Sequence, residues 1–227
     1  MGKTNGLVGG VTGKIGNVIG YFRRGKFLAR AYNPHTTNVN SLGQRKQRAR
    51  FKAVSNFLAG ARSIYNLGFY YAAPSYQRVT MVKDCMDAFT AVTPQEVTVD
   101  YSKIKISRPQ LEVTLTSAAS STEAGKVTVA NTLPASTFVE ELPAEYGDAA
   151  NLKVMVALYC PSKNAWKRAI ADYADAASME ITVDADWSGE KVHAYACIVD
   201  YPERVLVDEG TPAMVSETVY AGDVSVA

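Results

Sequence analysis

Glycine followed by lysine is the pairing with which a backbone loop and an ammonium group hold a phosphate, and it occurs at Gly13-Lys14 inside "GLVGGVTGKIGNVIGYFRRGKF" (residues 6–27). The spacing does not complete that chemistry. A phosphate-binding loop needs G-x-x-x-x-G-K-[ST]; here position 8 is Val8, and Ile15 stands where the Mg²⁺-holding hydroxyl belongs. The dinucleotide fingerprint G-x-G-x-x-G also fails. What remains is G-x-x-G-x-x-G-x-x-x-G with Val and Ile between the glycines, a segment suited to lie against another backbone. Gly9, Gly10, Gly13, Gly16 and Gly20, with Tyr21, Phe22 and Phe27, are therefore read as a subunit-contact surface.

The other reactive side chains are sparse. The two histidines are His35, in a loop, and His193, in a predicted strand where it alternates with Tyr195. A nucleophilic triad would have to use one of them, and nothing marks a nucleophile beside either. The carboxylates Glu140, Glu141, Asp184 and Asp186 fall at loops or strand ends and read as solvated acids. Cys85, Cys160 and Cys197 are too few and too scattered for a disulfide framework or a zinc site, so they read as buried free thiols. The expectation is a protein that is not an enzyme and that needs no cofactor, metal or small-molecule substrate.

The charge pattern carries more. Residues 1–83 contain 14 of the 24 Lys and Arg residues and no Asp or Glu; residues 84–227 hold 10 basic against 22 acidic residues. A one-signed segment of that length points to an anionic partner. Lys14, Arg23, Arg24, Lys26 and Arg30, interleaved with Tyr21, Phe22, Phe27 and Tyr32, form one cluster. Arg45, Lys46, Arg48, Arg50 and Lys52 form the second. Such cations neutralise phosphates while aromatics stack on unpaired bases, so these ten are the candidate nucleic-acid or anion contacts.

The elements that position these residues follow from periodicity. Residues 17–32 read as a β-hairpin. With Arg24-Gly25 as its loop, Phe22 faces Phe27, Gly20 faces Ala29 and Val18 faces Ala31, leaving Arg23, Lys26 and Arg30 on the other face with Tyr21 and Ile19. That segregation suits a half-buried hairpin. Residues 42–68 carry a helical pattern, capped by Asn40 or Ser41, with an apolar stripe of Phe51, Val54, Leu58, Ala61 and Tyr65 and a basic stripe of Arg45, Arg48 and Lys52. A second helix runs from Pro74 to about Thr90 with Val79, Val82, Met86 and Phe89 inward. From Val97 the period becomes two, and seven or eight short strand candidates follow, among them 97–107, 126–131, 152–160, 165–172, 179–185 and 191–200. The fold class predicted is α+β: a Gly-rich arm and hairpin (1–40), a basic helical hairpin (41–93) and an antiparallel immunoglobulin-like β-sandwich (94–227).

Three segments resemble an uncharacterised domain family common in Bacteroidota and their mobile elements. They are "NGLVGGVTGKIGNVIGYFRRGKFLARA", "QRKQRARFKAVSNFL" and "VTVDYSKIKIS". The resemblance is close over residues 5–106 and loose over the C-terminal strands. Phe22-Arg23-Arg24 departs from it, where relatives often carry Trp and one basic residue. It implies the same organisation and assigns no activity.

The functional expectation is a structural or assembly protein, a virion component of a phage or mobile element, partnered by other copies of itself, other virion proteins, or DNA or RNA. A stand-alone nucleic-acid-binding protein and a surface adhesion module are the alternatives. No apolar run reaches membrane-span length and no secretory leader is visible, so cytoplasmic synthesis is expected.

Overall fold

A computed structural model describes residues 3–4, 11–23, 25–34, 40–69, 74–109, 113, 115–133, 152–200 and 215–227. The chain divides into two compact units, residues 1–41 and 42–227. The chain as a whole is an α+β protein whose described strands pair antiparallel.

The first unit is a four-stranded sheet of β1 (Lys3–Thr4), β2 (Val11–Ile15), β3 (Val18–Arg23) and β4 (Lys26–Ala31), in that order. The β3–β4 register is the one read from the sequence: Val18 opposite Ala31, Gly20 opposite Ala29, Phe22 opposite Phe27. Gly25, in the turn, has φ 72°, a left-handed conformation that favours glycine. Gly16 does the same for the β2–β3 turn at φ 55°. Gly20 is buried and Ile19 partly so, but neither face is covered as a half-buried hairpin requires. Tyr21, Phe22, Phe27 and Leu28 are all exposed, so side chains of both faces meet solvent.

The second unit has a helical layer, a four-stranded sheet and a three-stranded sheet. The predicted 42–68 helix is two: α1 (Leu42–Phe57) and α2 (Arg62–Gly68), separated by a turn at 58–61. The helix predicted to reach Thr90 ends earlier: α3 (Pro74–Cys85) passes into a 3₁₀ turn (86–88) and then β5 (Phe89–Ala91), which pairs with β6 (Val97–Val99). The candidate strand 97–107 stops at Val99, because Asp100 caps a 3₁₀ turn at Tyr101–Lys103. Phe51 and Val79, assigned to apolar stripes, are exposed at 55% and 60%; the buried apolar positions of the helical layer are Val54, Phe57, Ile64, Met81, Val82 and Cys85 in helices and Leu58 and Ala61 in the turn.

The strands that follow are β7 (Thr116–Ser120), β8 (Lys126–Thr132), β9 (Leu152–Cys160), β10 (Ala165–Asp172), β11 (Ser178–Thr182), β12 (Lys191–Asp200) and β13 (Val219–Ser225). They form sheets ordered β10-β9-β12-β13 and β11-β8-β7. Strands β9 and β12 are covered on both sides, which is why their sequences read as continuous apolar runs. Val154, Val156, Leu158, Ala194, Ala196 and Ile198 share a core with Val127, Val129, Met179 and Ile181 of the smaller sheet. Met155, Ala157, Tyr159, Tyr195, Cys197 and Val199 share another with Val54, Phe57, Leu58, Ile64 and Phe89. Three hydrogen bonds tie the helices to β9–β10: Trp166 Nε1 donates to Phe57 O (2.9 Å), Arg168 Nη1 to Ser63 O (2.7 Å) and Asn164 Nδ2 to Asn56 O (3.2 Å).

Candidate functional site

The β2–β4 register sorts the hairpin unit into two chemically unlike faces. One carries Gly13, Ile15, Val18, Gly20, Phe22, Phe27, Ala29 and Ala31 and has no charged residue. The other carries Lys14, Ile19, Tyr21, Arg23, Lys26, Leu28 and Arg30. Of the eleven exposed large apolar side chains among the described residues, six belong to this small sheet: Ile15, Val18, Tyr21, Phe22, Phe27 and Leu28. Phe22 and Phe27 meet edge to face with centroids 5.5 Å apart. They make an apolar knob at the hairpin tip.

On the other face the cations are crowded. Arg23 stands directly across from Lys26, and Lys14 and Arg30 flank Ile19 on neighbouring strands. Like charges opposite one another destabilise a ladder, and residues 1–83 contain no acid to relieve them. Lys14 Nζ sits 3.6 Å from the centroid of the Tyr32 ring, a cation–π contact. Gly13-Lys14 lies in a strand followed by another strand, so no helix N-terminus follows to cradle a phosphate. Gly9, Gly10 and Arg24 of the predicted surface lie outside the described residues, as do His35, Glu140 and Glu141.

In the second unit, α1 starts without an acid in its first turn. Arg45, Arg48 and Lys52 are exposed and Lys46 is partly so. Arg50 is differently engaged. Its Nε donates to Met86 O at 2.9 Å, its Nη2 reaches the same carbonyl, and Nη2 pairs with Asp87 Oδ1 at 3.1 Å. It clamps α1 to the turn after α3.

Among the described residues, nine acids of this unit sit in ion pairs with its own cations. Asp100 pairs with Lys103 (2.8 Å), Glu123 with Lys126 (2.8 Å), Asp172 with Lys153 (3.0 Å), Asp184 with Lys167 (2.8 Å), Asp186 with Lys163 (3.4 Å) and Asp223 with Lys191 (2.8 Å). Asp184 and Asp186 thus sit in separate ion pairs.

A buried cluster around His193 was not legible in the sequence beyond its alternation with Tyr195. The ring stacks on Tyr101 at 3.9 Å between centroids, and Nδ1 lies 2.8 Å from Tyr220 Oη. Tyr195 Oη donates to Tyr101 O at 3.0 Å. Burial holds the imidazole below its ordinary pKa and, with Asp223 nearby, pushes the Tyr220 phenol up to about 12. Cys85 and Cys197 are likewise pushed up to about 12 by burial, so both are thiols near neutral pH. Among the described residues no group of three or more His, Cys, Asp or Glu is placed to hold a metal ion, and no helix is long and apolar enough to cross a membrane.

Residues 10–206 match the model of a family described as one of unknown function (DUF6266). No curated protein and no solved structure matches the chain significantly.

Proposed function

The chain belongs to that family of unknown function, and within it we propose a structural and assembly protein, a virion component of a phage or mobile element. The observation that carries this reading is the hairpin sheet. A small unit exposes an uncharged apolar face on one side and four cations on the other. A contiguous apolar surface left in water marks an interaction site. Neighbouring subunits take the apolar side, and an anionic polymer takes the cations. In the second unit, the two antiparallel sheets that share a core are read as an immunoglobulin-like sandwich forming the subunit body.

The test compares the mass in solution of the full chain with that of a chain starting at Gln44, at low and high salt, with and without single-stranded DNA. A large assembly for the full chain and a monomer for the shortened one support the reading. A monomer in both cases, under every condition, removes it.

One observation favours a stand-alone nucleic-acid-binding protein instead. The body's described acids are mostly satisfied internally, which directs the basic segment of residues 1–83, hairpin and α1 alike, toward an external anion. Charge reversal at Arg45, Arg48 and Lys52 should then abolish DNA binding; unchanged affinity in that triple variant would eliminate this second reading.

A further inference from the structure

We propose that the uncharged face of the hairpin sheet is a self-association face: it stacks against the same face of a second copy, leaving both cationic faces outward. This rests on the assembly reading and specifies which surface mediates it.

The argument is electrostatic. Residues 1–83 hold 14 cations and no acid, so two copies of this segment repel wherever their charged surfaces meet. The register offers one exception: Ile15, Val18, Phe22, Phe27, Ala29 and Ala31, exposed around the buried Gly20, share a face on which no described strand residue is charged. Packed sheets lie about 10 Å apart, so stacking through this face separates the outward cations of the two copies by more than about 10 Å. The Debye length at physiological salt is about 8 Å, so their repulsion is then largely screened. A second copy is also the partner certain to present an uncharged apolar surface of identical outline, as a two-fold contact requires.

The area sets the strength. Three strands about 4.8 Å apart and five residues long cover on the order of 250 Å² per copy, about 500 Å² in the pair. That is below the roughly 1,200 Å² of a stable interface, so the contact is weak and concentration-dependent. An anionic polymer on the outward faces would raise the local concentration and remove residual repulsion, coupling polymer binding to pairing.

Salt separates this contact from an ionic one between the basic and acidic segments. Apolar stacking of like-charged modules holds or strengthens as salt rises; ionic pairing dissolves.

The experiment uses full-length Ala29→Cys and Leu28→Cys, neighbours on opposite faces, both exposed. The native thiols Cys85, Cys160 and Cys197 are buried and stay silent. Each variant is treated with a bismaleimide whose span matches the about 10 Å between packed sheets, at about 0.05 M and about 0.5 M salt. Ala31→Cys provides a second probe of the uncharged face, and the fluorescence of Trp166 and Trp187 checks that residues 42–227 are folded. The expected result is a covalent dimer from Ala29→Cys and Ala31→Cys, at least about tenfold less from Leu28→Cys, and no loss at high salt. Equal capture from both faces, no capture from the uncharged face, or capture that collapses at high salt would overturn the inference. If the wild-type chain still assembles in those cases, the broader assembly reading survives; if it stays monomeric, both fall.

Discussion

Trp166 Nε1 donates to the carbonyl of Phe57 at 2.9 Å, and the two rings also meet edge to face with centroids 5.1 Å apart. The pair joins the end of α1 to β10, and Tyr159 packs against both rings. Trp166→Phe keeps an aromatic and removes the donor. It should lower unfolding stability by about 1–3 kcal/mol, the cost of an unmet carbonyl plus lost ring area. Urea denaturation should show a reduced midpoint with an unchanged slope.

Two glycines should respond with opposite signs. A Cβ on Gly68 would lie 1.9 Å from Ile106 O, a backbone atom that cannot swing away. Gly68→Ala should therefore cost about 3 kcal/mol, the upper end of overpacking. A Cβ on Gly43, in the first turn of α1, meets nothing within 4 Å. Gly43→Ala should stabilise by about 0.5–1 kcal/mol through the unfolded chain and helix propensity. Paired thermal melts decide both.

Acid should destabilise the fold in two separate windows. His193 is held below its ordinary value of 6.5 by burial, with Lys191 adding to and Asp223 opposing the shift. Above pH 6.5 it is neutral folded and unfolded, so it adds no slope. Below that, the unfolded chain takes the proton first, and stability falls as pH drops through the folded pKa. Asp100 and Asp223, lowered chiefly by hydrogen bonds to Lys103 and Lys191, contribute loss only below their ordinary 3.8. Stability measured against pH in wild type and His193→Gln should differ in slope in the first window and agree in the second.

Salt dependence should sort the cations by role. For single-stranded nucleic acid each phosphate contact contributes about 0.7 to the slope of log affinity against log salt. Replacing Lys14, Arg23, Lys26 and Arg30 with Gln should therefore flatten that slope by roughly 3 if all four touch phosphate. Arg50→Gln should leave the slope unchanged and lower stability, because its guanidinium is committed to Met86 O and Asp87.

The sequence was most readable where one local pattern decides the outcome. Strands β9, β10 and β12 have the bounds their apolar runs suggested, and the β3–β4 register follows from separating apolar from basic residues. It was least readable where a distant partner decides. The stripe through Phe51 to Tyr65 hid the break at 58–61, because Leu58 and Ala61 within it are buried like helix positions. Phe89 fits a helical face as well as a strand; its pairing with Val99, and the bond from Asp100 N to Ala88 O (2.8 Å), settle it as strand. For the candidate site, the cation positions were legible, while the separate commitment of Arg50 needed Met86 and Asp87, more than thirty residues away. The stack of His193 on Tyr101 joins two sheet-and-turn segments that no local period connects.

The shared core of α1, α2, β9 and β12 has a consequence for synthesis on the ribosome. Phe57 and Leu58 are buried against strands that include Tyr195, Cys197 and Val199, so they leave the exit tunnel long before their partners exist. With about 140 residues still to be added before β12 is made, at 5–20 residues per second, the part of that surface that β9 and β12 cover stays open for roughly 7–30 s, while α3 and Phe89 can cover the rest. The nascent chain therefore presents a basic helix with an incompletely covered apolar side during most of its translation. Chaperone depletion should cost yield chiefly through that interval, and slowing codons placed before β12 should worsen it.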